Sequence, residues 1–257
     1  MEDNGYIYNL LDKYKVYSTS ALLSSVSDKE LKKIISIKNY KSLLASTQDQ
    51  YNVVSYVRQR RDRLTHLFNS TVSDSSDNAS IIEGILRRNG IAPEIFARDV
   101  FDWISCNHQK KNAFFIHGVK NSGKTLIAKL LCAPFVCHYA TNQGIMNDFY
   151  YEGFLNKTIV HIEEPLFIPQ IAEDMKSILS GAPISVNEKH KSAKQILQRT
   201  PVFMTSNHHK LGRGYLGVID ERALLARCYI YCFKYEYEPT CVLNPNDMIH
   251  FLLRYYA

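Results

Sequence analysis

The sequence predicts an α/β fold: a parallel sheet with flanking helices, preceded by a small N-terminal helical domain. Two observations support this prediction. From residue 112 onward, short apolar runs alternate with segments of helical periodicity, which is typical of a parallel sheet with helices on both faces. Before that point, residues 6–68 carry apolar side chains at three- to four-residue spacing, which indicates helices alone.

Length and composition limit the class of protein. The chain has 257 residues, 46% of them hydrophobic, so it can bury one large or two small cores. Its apolar runs are too short to span a bilayer, and no secretory signal peptide is visible. The net charge of +6 is consistent with a polyanionic partner without proving one. The six cysteines lack the spacing of a zinc site, and we expect reduced thiols in a reducing compartment.

The helical domain is predicted to span residues 1–75. Apolar spacing indicates helices at 8–14, 29–35 and 51–68, and Ser27 or Asp28 suits the N-cap of the second. The third helix carries a basic cluster, for which we favour a solvated helix face over a DNA contact or a nuclear-import signal. Its members are Arg58, Arg60, Arg61 and Arg63.

Residues 69–78 have short, mostly polar side chains, which marks the boundary with a second domain, residues 76–257. Its first two helices are expected at 79–88 and 93–104, separated by Asn89-Gly90, a good C-terminal stop. Strands are then expected at 112–117, 135–139, 159–162, 202–205 and 228–233, and helices at 126–131, 168–180 and 246–255.

A glycine-rich motif separates the strand at 112–117 from the helix at 126–131. It reads Gly118-Val119-Lys120-Asn121-Ser122-Gly123-Lys124-Thr125. Strand, motif and helix in this order form a phosphate-binding loop, whose glycines let backbone N–H groups point at phosphate oxygens. We expect Lys124 to reach the β- and γ-phosphates of a nucleoside triphosphate and Thr125 to hold Mg²⁺.

Two carboxylates end the strand at 159–162. We expect Glu163 to orient Mg²⁺ and its waters, and Glu164 to polarise the water that attacks the γ-phosphate. A surface acidic turn is the weaker interpretation, because ligands of α/β sheets bind beyond strand ends on the phosphate-loop side. Asn207, after the next apolar strand, suits holding the same water, although asparagine is also common in turns.

Residues 182–196 alternate apolar and polar side chains on two arms around a basic tip, the pattern of a β-hairpin. The tip suits contact with a phosphodiester backbone through four basic residues. These are Lys189, His190, Lys191 and Lys194. An ordinary solvated loop would carry the same charge, so both interpretations stay open.

In this order the motifs resemble the superfamily 3 helicases of small DNA viruses, which are AAA+ ATPases. The likeness is strongest to the C-terminal half of parvovirus non-structural replication initiators. It is carried by residues 186–196, by 200–207, and by Ala226-Arg227 at the start of a strand. It covers nearly the whole chain, although the N-terminal helices match faintly the family's helical oligomerisation bundle.

The resemblance implies an AAA+ type sheet and an ATP-dependent DNA helicase that acts in viral genome replication or packaging in the host cell nucleus. It implies a homo-oligomeric ring, usually of six subunits, with ATP and Mg²⁺ between neighbours. Arg227 matches the arginine finger that enters the next subunit's site, and Lys189 and His190 match channel residues that grip single-stranded DNA. Viral or host replication proteins are further expected partners, and no membrane is expected.

Two departures from the family pattern are visible. Pro165 directly follows the acidic pair, and the chain lacks the His-x-His motif of the family's nickase domain, so nicking is not expected of this helicase-only product or excised domain. Two rival functions stay open. A small-molecule phosphate-loop kinase leaves the basic hairpin and Arg227 unexplained. A nucleotide-binding assembly module without motor activity leaves the intact Lys124, Glu163 and Glu164 unexplained.

Overall fold

The computed structural model describes residues 2–70, 78–141, 150–187, 189 and 193–256. The helices in these ranges are α1 (Glu2–Tyr14), α2 (Thr19–Ser25), α3 (Asp28–Ser36), α4 (Tyr40–Arg61), α5 (Arg63–Phe68), α6 (Ala79–Arg88), α7 (Pro93–Ile104), α8 (Lys124–Cys132), α9 (Pro169–Ser180), α10 (Val218–Leu225) and α11 (Pro245–Leu253). The strands are β1 (Ala113–Gly118), β2 (Cys137–Thr141), β3 (Ile159–Glu163), β4 (Ile184–Val186), β5 (Gln195–Leu197), β6 (Val202–Ser206) and β7 (Cys228–Phe233).

Five strands form one parallel sheet in the order β2-β3-β6-β1-β7. The register pairs His117 of β1 with Ser206 of β6, and Glu163 of β3 with Thr205 of β6. The carboxyl ends of these three strands therefore meet at one edge of the sheet. The predicted fold class, a parallel α/β sheet with flanking helices after a helical region, is confirmed.

Both faces of the sheet are covered by helices. Phe114 and Ile116 of β1 belong to a buried cluster with residues of α6, α7, α8 and α11. Phe115, which points to the other face, belongs to a second cluster with residues of α9 and α10. Because the central strands β1, β3 and β6 are buried on both faces, they are nearly continuous apolar runs, and they form a rigid base for the loops at their carboxyl ends.

Helices α1 to α4 enclose a small core of their own. The N-cap of α3 is Ser27: its hydroxyl accepts a hydrogen bond from the Glu30 N–H at 3.4 Å, and the Glu30 carboxylate accepts one from the Ser27 N–H at 2.9 Å. This capping box satisfies two N–H groups that a helix start leaves free, so it defines where α3 begins. The predicted helical N-terminal region is confirmed.

The segment predicted as one helix at 51–68 is divided between two. Helix α4 ends at Arg61 because Asp62 is extended and its carboxylate accepts a hydrogen bond from the Thr65 N–H at 2.9 Å, which starts α5. The short α5 packs against the part of the chain that contains the parallel sheet, because Leu67 lies in the same buried cluster as Phe114 of β1.

The interpretation of the basic cluster as a solvated face is partly wrong. Three of its arginines are exposed, namely Arg58, Arg60 and Arg61. Arg63 is buried, with 8% of its area exposed. Its guanidinium donates to the Arg199 carbonyl at 3.4 Å and to Cys106 Sγ at 3.7 Å. Because Asp62 breaks the helix, Arg63 begins α5 and faces the sheet domain instead of solvent.

The strand predicted at 135–139 begins two residues later, at Cys137. The Val136 N–H is not available to a neighbouring strand, because it donates a hydrogen bond to Gln59 Oε1 of α4 at 2.9 Å. The same oxygen accepts the Thr158 hydroxyl at 2.7 Å. A buried side chain of the helical region thus takes the place of a strand partner at this corner of the sheet.

Other expectations are tested less directly. Residues 71–77 of the predicted linker at 69–78 lie outside the described ranges, and the domain boundary at 75/76 stays a prediction. All six cysteines are free. Where the chain is described, no three His, Cys, Asp or Glu side chains are grouped as metal ligands. None of the described helices is both long and apolar enough to cross a membrane.

Candidate nucleotide-binding site

The phosphate loop joins β1 to α8 through left-handed backbone conformations. Asn121 has a φ of 55° and Gly123, the N-cap of α8, a φ of 88°. Gly118 has a φ of 143°, and a Cβ at this position would overlap the Phe233 carbonyl. That carbonyl accepts a hydrogen bond from the Val119 N–H at 2.9 Å. The loop is therefore pressed against β7 by a contact that requires glycine.

Lys124 is buried, with 6% of its area exposed. In the described part of the chain its ammonium donates to neutral oxygens. These belong to the carbonyls of Gly118 (3.3 Å) and Val119, the Ser122 hydroxyl (3.2 Å) and the Asn207 side chain (3.2 Å). Burial lowers the pKa of Lys124, and the nearby Glu164 carboxylate opposes that shift. A buried ammonium without a hydrogen-bonded carboxylate favours the binding of an anion.

Thr125 and Glu163 lie in direct contact at the carboxyl ends of β1 and β3. The Thr125 hydroxyl donates to Glu163 Oε1 at 2.9 Å. Strand β3 brings Glu163 to this point because its last residue pairs with Thr205 of β6, the neighbour of β1. A hydroxyl and a carboxylate are hard oxygen ligands of the kind that Mg²⁺ takes together with phosphates and water. The pair predicted to hold Mg²⁺ is therefore brought together.

Glu164 leaves the sheet in a left-handed conformation, with a φ of 51° directly before Pro165. Such a conformation costs a non-glycine residue on the order of 1 kcal/mol. The Glu164 carboxylate accepts hydrogen bonds from the Ser206 hydroxyl at 3.0 Å and from the Asn207 N–H at 2.9 Å. The unexpected proline thus coincides with a strained turn, and the carboxylate is bound to the end of β6.

Sequence reasoning missed one partner of this carboxylate. Arg213 Nη2 donates to Glu164 Oε2 at 2.7 Å and to the Glu164 carbonyl at 3.0 Å. Arg213 lies in the loop between β6 and α10, with a φ of 46°. Its flanking glycines at 212 and 214 indicate a turn, but no spacing connects this arginine to a strand end 49 residues earlier.

The predicted residues surround one cavity of about 320 Å³ at the carboxyl edge of the sheet. Its lining consists of residues 120–126, the acidic pair and the end of β6. Nine of the predicted site residues line it: residues 120–125 of the phosphate loop, which include Lys124 and Thr125, together with Glu163, Glu164 and Asn207.

Arg227 is not brought to this cavity. It precedes β7, whose first residue, Cys228, pairs with Ala113 at the amino end of β1. Because β1 is six residues long, Arg227 and the phosphate loop lie at opposite edges of the sheet, roughly 17 Å apart. The Arg227 guanidinium is half-buried and donates to the Ala223 carbonyl of α10.

The predicted hairpin has the expected arms. Strands β4 and β5 are antiparallel, with Ile184 opposite Leu197. Lys189 and Lys194 are exposed, and the Lys189 N–H donates to Glu152 Oε1 at 3.3 Å. His190 and Lys191 lie outside the described residues.

Comparisons with known proteins bear on what this arrangement does. The family model for parvovirus non-structural protein NS1 matches residues 24–210. Protein Rep52 of adeno-associated virus 2 is 33% identical over 136 residues, which are 53% of this chain and 33% of that protein. Initiator protein NS1 of canine parvovirus type 2 is 28% identical over 151 residues, which are 54% of this chain and 22% of that protein. The chain thus matches a third or less of the length of these relatives.

The fold is also similar to a solved structure of JCV Helicase. The TM-score is 0.55 and the sequence identity 13%, with 90% of this chain and 77% of that chain covered. At this identity the likeness concerns the fold alone.

Gly118→Ala is expected to destabilise the protein more than Gly90→Ala. Both glycines have a positive φ, 143° and 71°, so both variants incur a conformational cost on the order of 1 kcal/mol. A Cβ at Gly118 would also overlap the Phe233 carbonyl, whereas at Gly90 nothing lies within 4 Å. We therefore expect an additional loss of about 2 kcal/mol in the free energy of unfolding of Gly118→Ala. Urea denaturation measures it, and equal losses in the two variants would contradict the steric requirement.

Proposed function

Because the chain belongs to the parvovirus non-structural protein NS1 family, we propose that it is an ATP-hydrolysing DNA helicase or translocase that acts in viral genome replication or packaging. The observation that carries this proposal is the cavity at the carboxyl edge of the sheet. There, the buried ammonium of Lys124, the Thr125–Glu163 pair and the Glu164 carboxylate face one space of about 320 Å³. The family match includes all four residues and ends before Arg227.

The contacts support a division of roles in hydrolysis. Lys124, which has neutral hydrogen-bond partners in the described structure, binds the β- and γ-phosphates of ATP. Thr125 and Glu163 hold Mg²⁺, which when bound neutralises charge on the transferring phosphoryl group. Glu164 polarises the attacking water as the general base. The Asn207 N–H donates to the Glu164 carboxylate at 2.9 Å, and its side-chain oxygen accepts from Lys124 at 3.2 Å, which leaves the side-chain NH₂ for the same water.

The position of Arg227 supports action in a neighbouring subunit. The roughly 17 Å between Arg227 and the chain's own phosphate loop is the length of strand β1, which exceeds the length of an arginine side chain. A chain that carries its site on one edge and its finger on the opposite edge would make heterologous head-to-tail contacts, which form a ring when the rotation between subunits closes. We therefore place Arg227 in the ATP site of the next subunit of a homo-oligomer, where it stabilises charge on the transferring phosphoryl group.

The exposed lysines of the hairpin support contact with single-stranded DNA. Lys189 and Lys194 flank a tip that also contains His190 and Lys191 in the sequence. Exposed ammonium groups on a two-stranded hairpin suit the phosphodiester backbone, which is the same in every sequence. The proposed partner is therefore single-stranded DNA bound without strong sequence preference.

Lys124→Ala is expected to abolish ATP hydrolysis and to weaken ATP binding, because it removes the buried charge that faces the phosphates. Glu164→Gln keeps the size of the side chain and loses the base, so it should bind ATP normally and hydrolyse it roughly 100-fold more slowly. Steady-state ATPase rates and nucleotide titrations measure both effects. Lys129→Ala removes an exposed lysine on the same helix and is the matched control, which should bind and hydrolyse ATP as the unmodified chain does.

The same assay with and without single-stranded DNA separates the rival functions. A helicase or translocase is stimulated by DNA. Binding of ATP without turnover by the unmodified chain would indicate an assembly module, and turnover that ignores DNA would favour a small-molecule kinase. Substantial hydrolysis by Glu164→Gln would move the catalytic role to Glu163 or elsewhere.

Replacing Lys189 and Lys194 by Ala together is expected to weaken binding of single-stranded DNA to a similar extent for different sequences. Loss of two phosphate contacts should reduce the slope of log affinity against log salt by about 1.4. Fluorescence anisotropy at several salt concentrations measures the slope, and ATP hydrolysis without DNA should persist. The double variant of Lys29 and Lys32, exposed on α3, removes the same charge elsewhere and should leave the slope unchanged. Equal slopes in both double variants would indicate that the hairpin is an ordinary solvated loop that does not contact DNA.

Arg227→Ala is expected to lower ATP hydrolysis by roughly 1,000-fold and to leave the affinity for ATP nearly unchanged, because the finger acts on the next subunit's phosphates. Mixing this variant with Lys124→Ala should restore part of the activity, since a mixed interface pairs an intact loop with an intact finger. Arg222→Ala, an exposed arginine on α10, is the control. Failure of the mixture to recover activity at any ratio and concentration would contradict the ring mechanism.

A further inference from the structure

We propose that Arg213 is the positioning residue that holds the Glu164 carboxylate in place for hydrolysis. The proposal rests on the proposed function of the cavity and concerns a residue beyond the segment that matches the family, which ends at residue 210.

The contact of Arg213 fixes both the side chain and the backbone of Glu164. One nitrogen, Nη2, donates to Oε2 of the carboxylate at 2.7 Å and to the carbonyl of the same residue at 3.0 Å. Glu164 has a φ of 51°, a conformation that persists only where surrounding contacts maintain it. Charge-assisted hydrogen bonds to both groups of the residue supply such contacts.

Arg213 is itself held by a buried anchor. The Glu221 carboxylate, 8% exposed, accepts hydrogen bonds from the Leu211 N–H at 2.6 Å and from the Gly212 N–H at 3.0 Å. The Leu211 carbonyl accepts one from the Phe167 N–H at 3.0 Å. The loop that carries Arg213 is therefore tied to α10 on one side and to the segment after Glu164 on the other. Because the fold already orders this arginine, it restrains Glu164 before any ligand binds.

Arg213 acts on the reaction through another residue. It does not belong to the lining of the 320 Å³ cavity, whereas Glu164 does. Its Nε is buried and has no hydrogen-bond partner among the described residues, so the pair depends on Nη2 alone. Loss of Arg213 should therefore affect the turnover step and leave nucleotide binding intact. A lysine, which offers one charged nitrogen on a shorter stem, should replace it in part.

Arg213→Ala is expected to lower kcat for ATP by about 30-fold and to change the dissociation constant of ADP by less than twofold. The kcat of Arg213→Lys should be at least about threefold higher than that of Arg213→Ala, which is a third of the loss on a logarithmic scale. Arg254→Ala is the control, because it removes an arginine of similar exposure whose ion pair with Glu83 (3.1 Å) lies outside the site; its kcat should stay at the wild-type value. The thermal unfolding midpoint of each variant reports a merely structural effect.

A second measurement tests the pair without turnover. In a double-mutant cycle of Arg213→Ala and Glu164→Gln on the nucleotide-free chain, the two changes in the unfolding equilibrium constant should be non-additive by about fivefold.

The outcomes separate this inference from the proposed function. A wild-type chain that binds nucleotide without hydrolysing it overturns the proposed function and the positioning role together. A wild-type chain that hydrolyses ATP, with Arg213→Ala within twofold of its kcat, overturns the positioning role alone. A parallel fall in kcat, ADP affinity and unfolding midpoint, with no recovery by lysine, would mean that Arg213 has a structural role only. Additive changes in the double-mutant cycle would mean that the Arg213–Glu164 pair does not stabilise the protein.

Discussion

The parallel register of β1, β3 and β6 is the constraint on which the site depends. Lys124, Glu163 and Asn207 are far apart in the chain, and they share one cavity because the strands that precede them end in line. A slip of one residue would exchange the two faces of a strand and bury its polar end in an apolar cluster. Register is strongly specified here because both faces of the sheet are packed, so the burial that stabilises the fold also positions the chemistry.

The phosphate loop keeps its shape through backbone contacts with the chain after β7. The Phe233 carbonyl accepts the Val119 N–H at 2.9 Å, and the Asn121 carbonyl accepts the Tyr237 N–H at 2.8 Å. The segment after β7 is in turn held by Asn89, whose Oδ1 accepts hydrogen bonds from the N–H groups of Lys234 at 2.6 Å and Tyr235 at 3.2 Å. Asn89, which the sequence indicates as a helix stop, therefore also supports the phosphate loop through the segment after β7.

Sequence reasoning predicted what is local and missed what is long-range. The phosphate loop, the acidic pair and Asn207 each follow an apolar run directly, so their place at a sheet edge follows from the pattern of one segment. The pairing of Arg213 with Glu164 joins two loops, and no periodicity marks either end of it. Burial of Arg63 was missed for a similar reason, because helix α5 turns only where Asp62 caps it. Helix α10 was missed because its eight residues mix aliphatic and charged side chains without a clear face.

In the proposed ring, the positions of the cations in one subunit favour a catalytic site that a neighbouring subunit completes. The lining of the cavity contains Lys120 and Lys124, and the nearby Arg213 is committed to the Glu164 carboxylate. Charge on the transferring phosphoryl group spreads over three oxygens, so a cation in addition to Lys124 would stabilise it. The proposed finger, Arg227, lies at the other edge of the sheet, two residues after the helix that also anchors the Arg213 loop. Under the proposed function, the sheet separates two arginines by role: Arg213 serves the chain's own site, and Arg227 would serve the site of a neighbour.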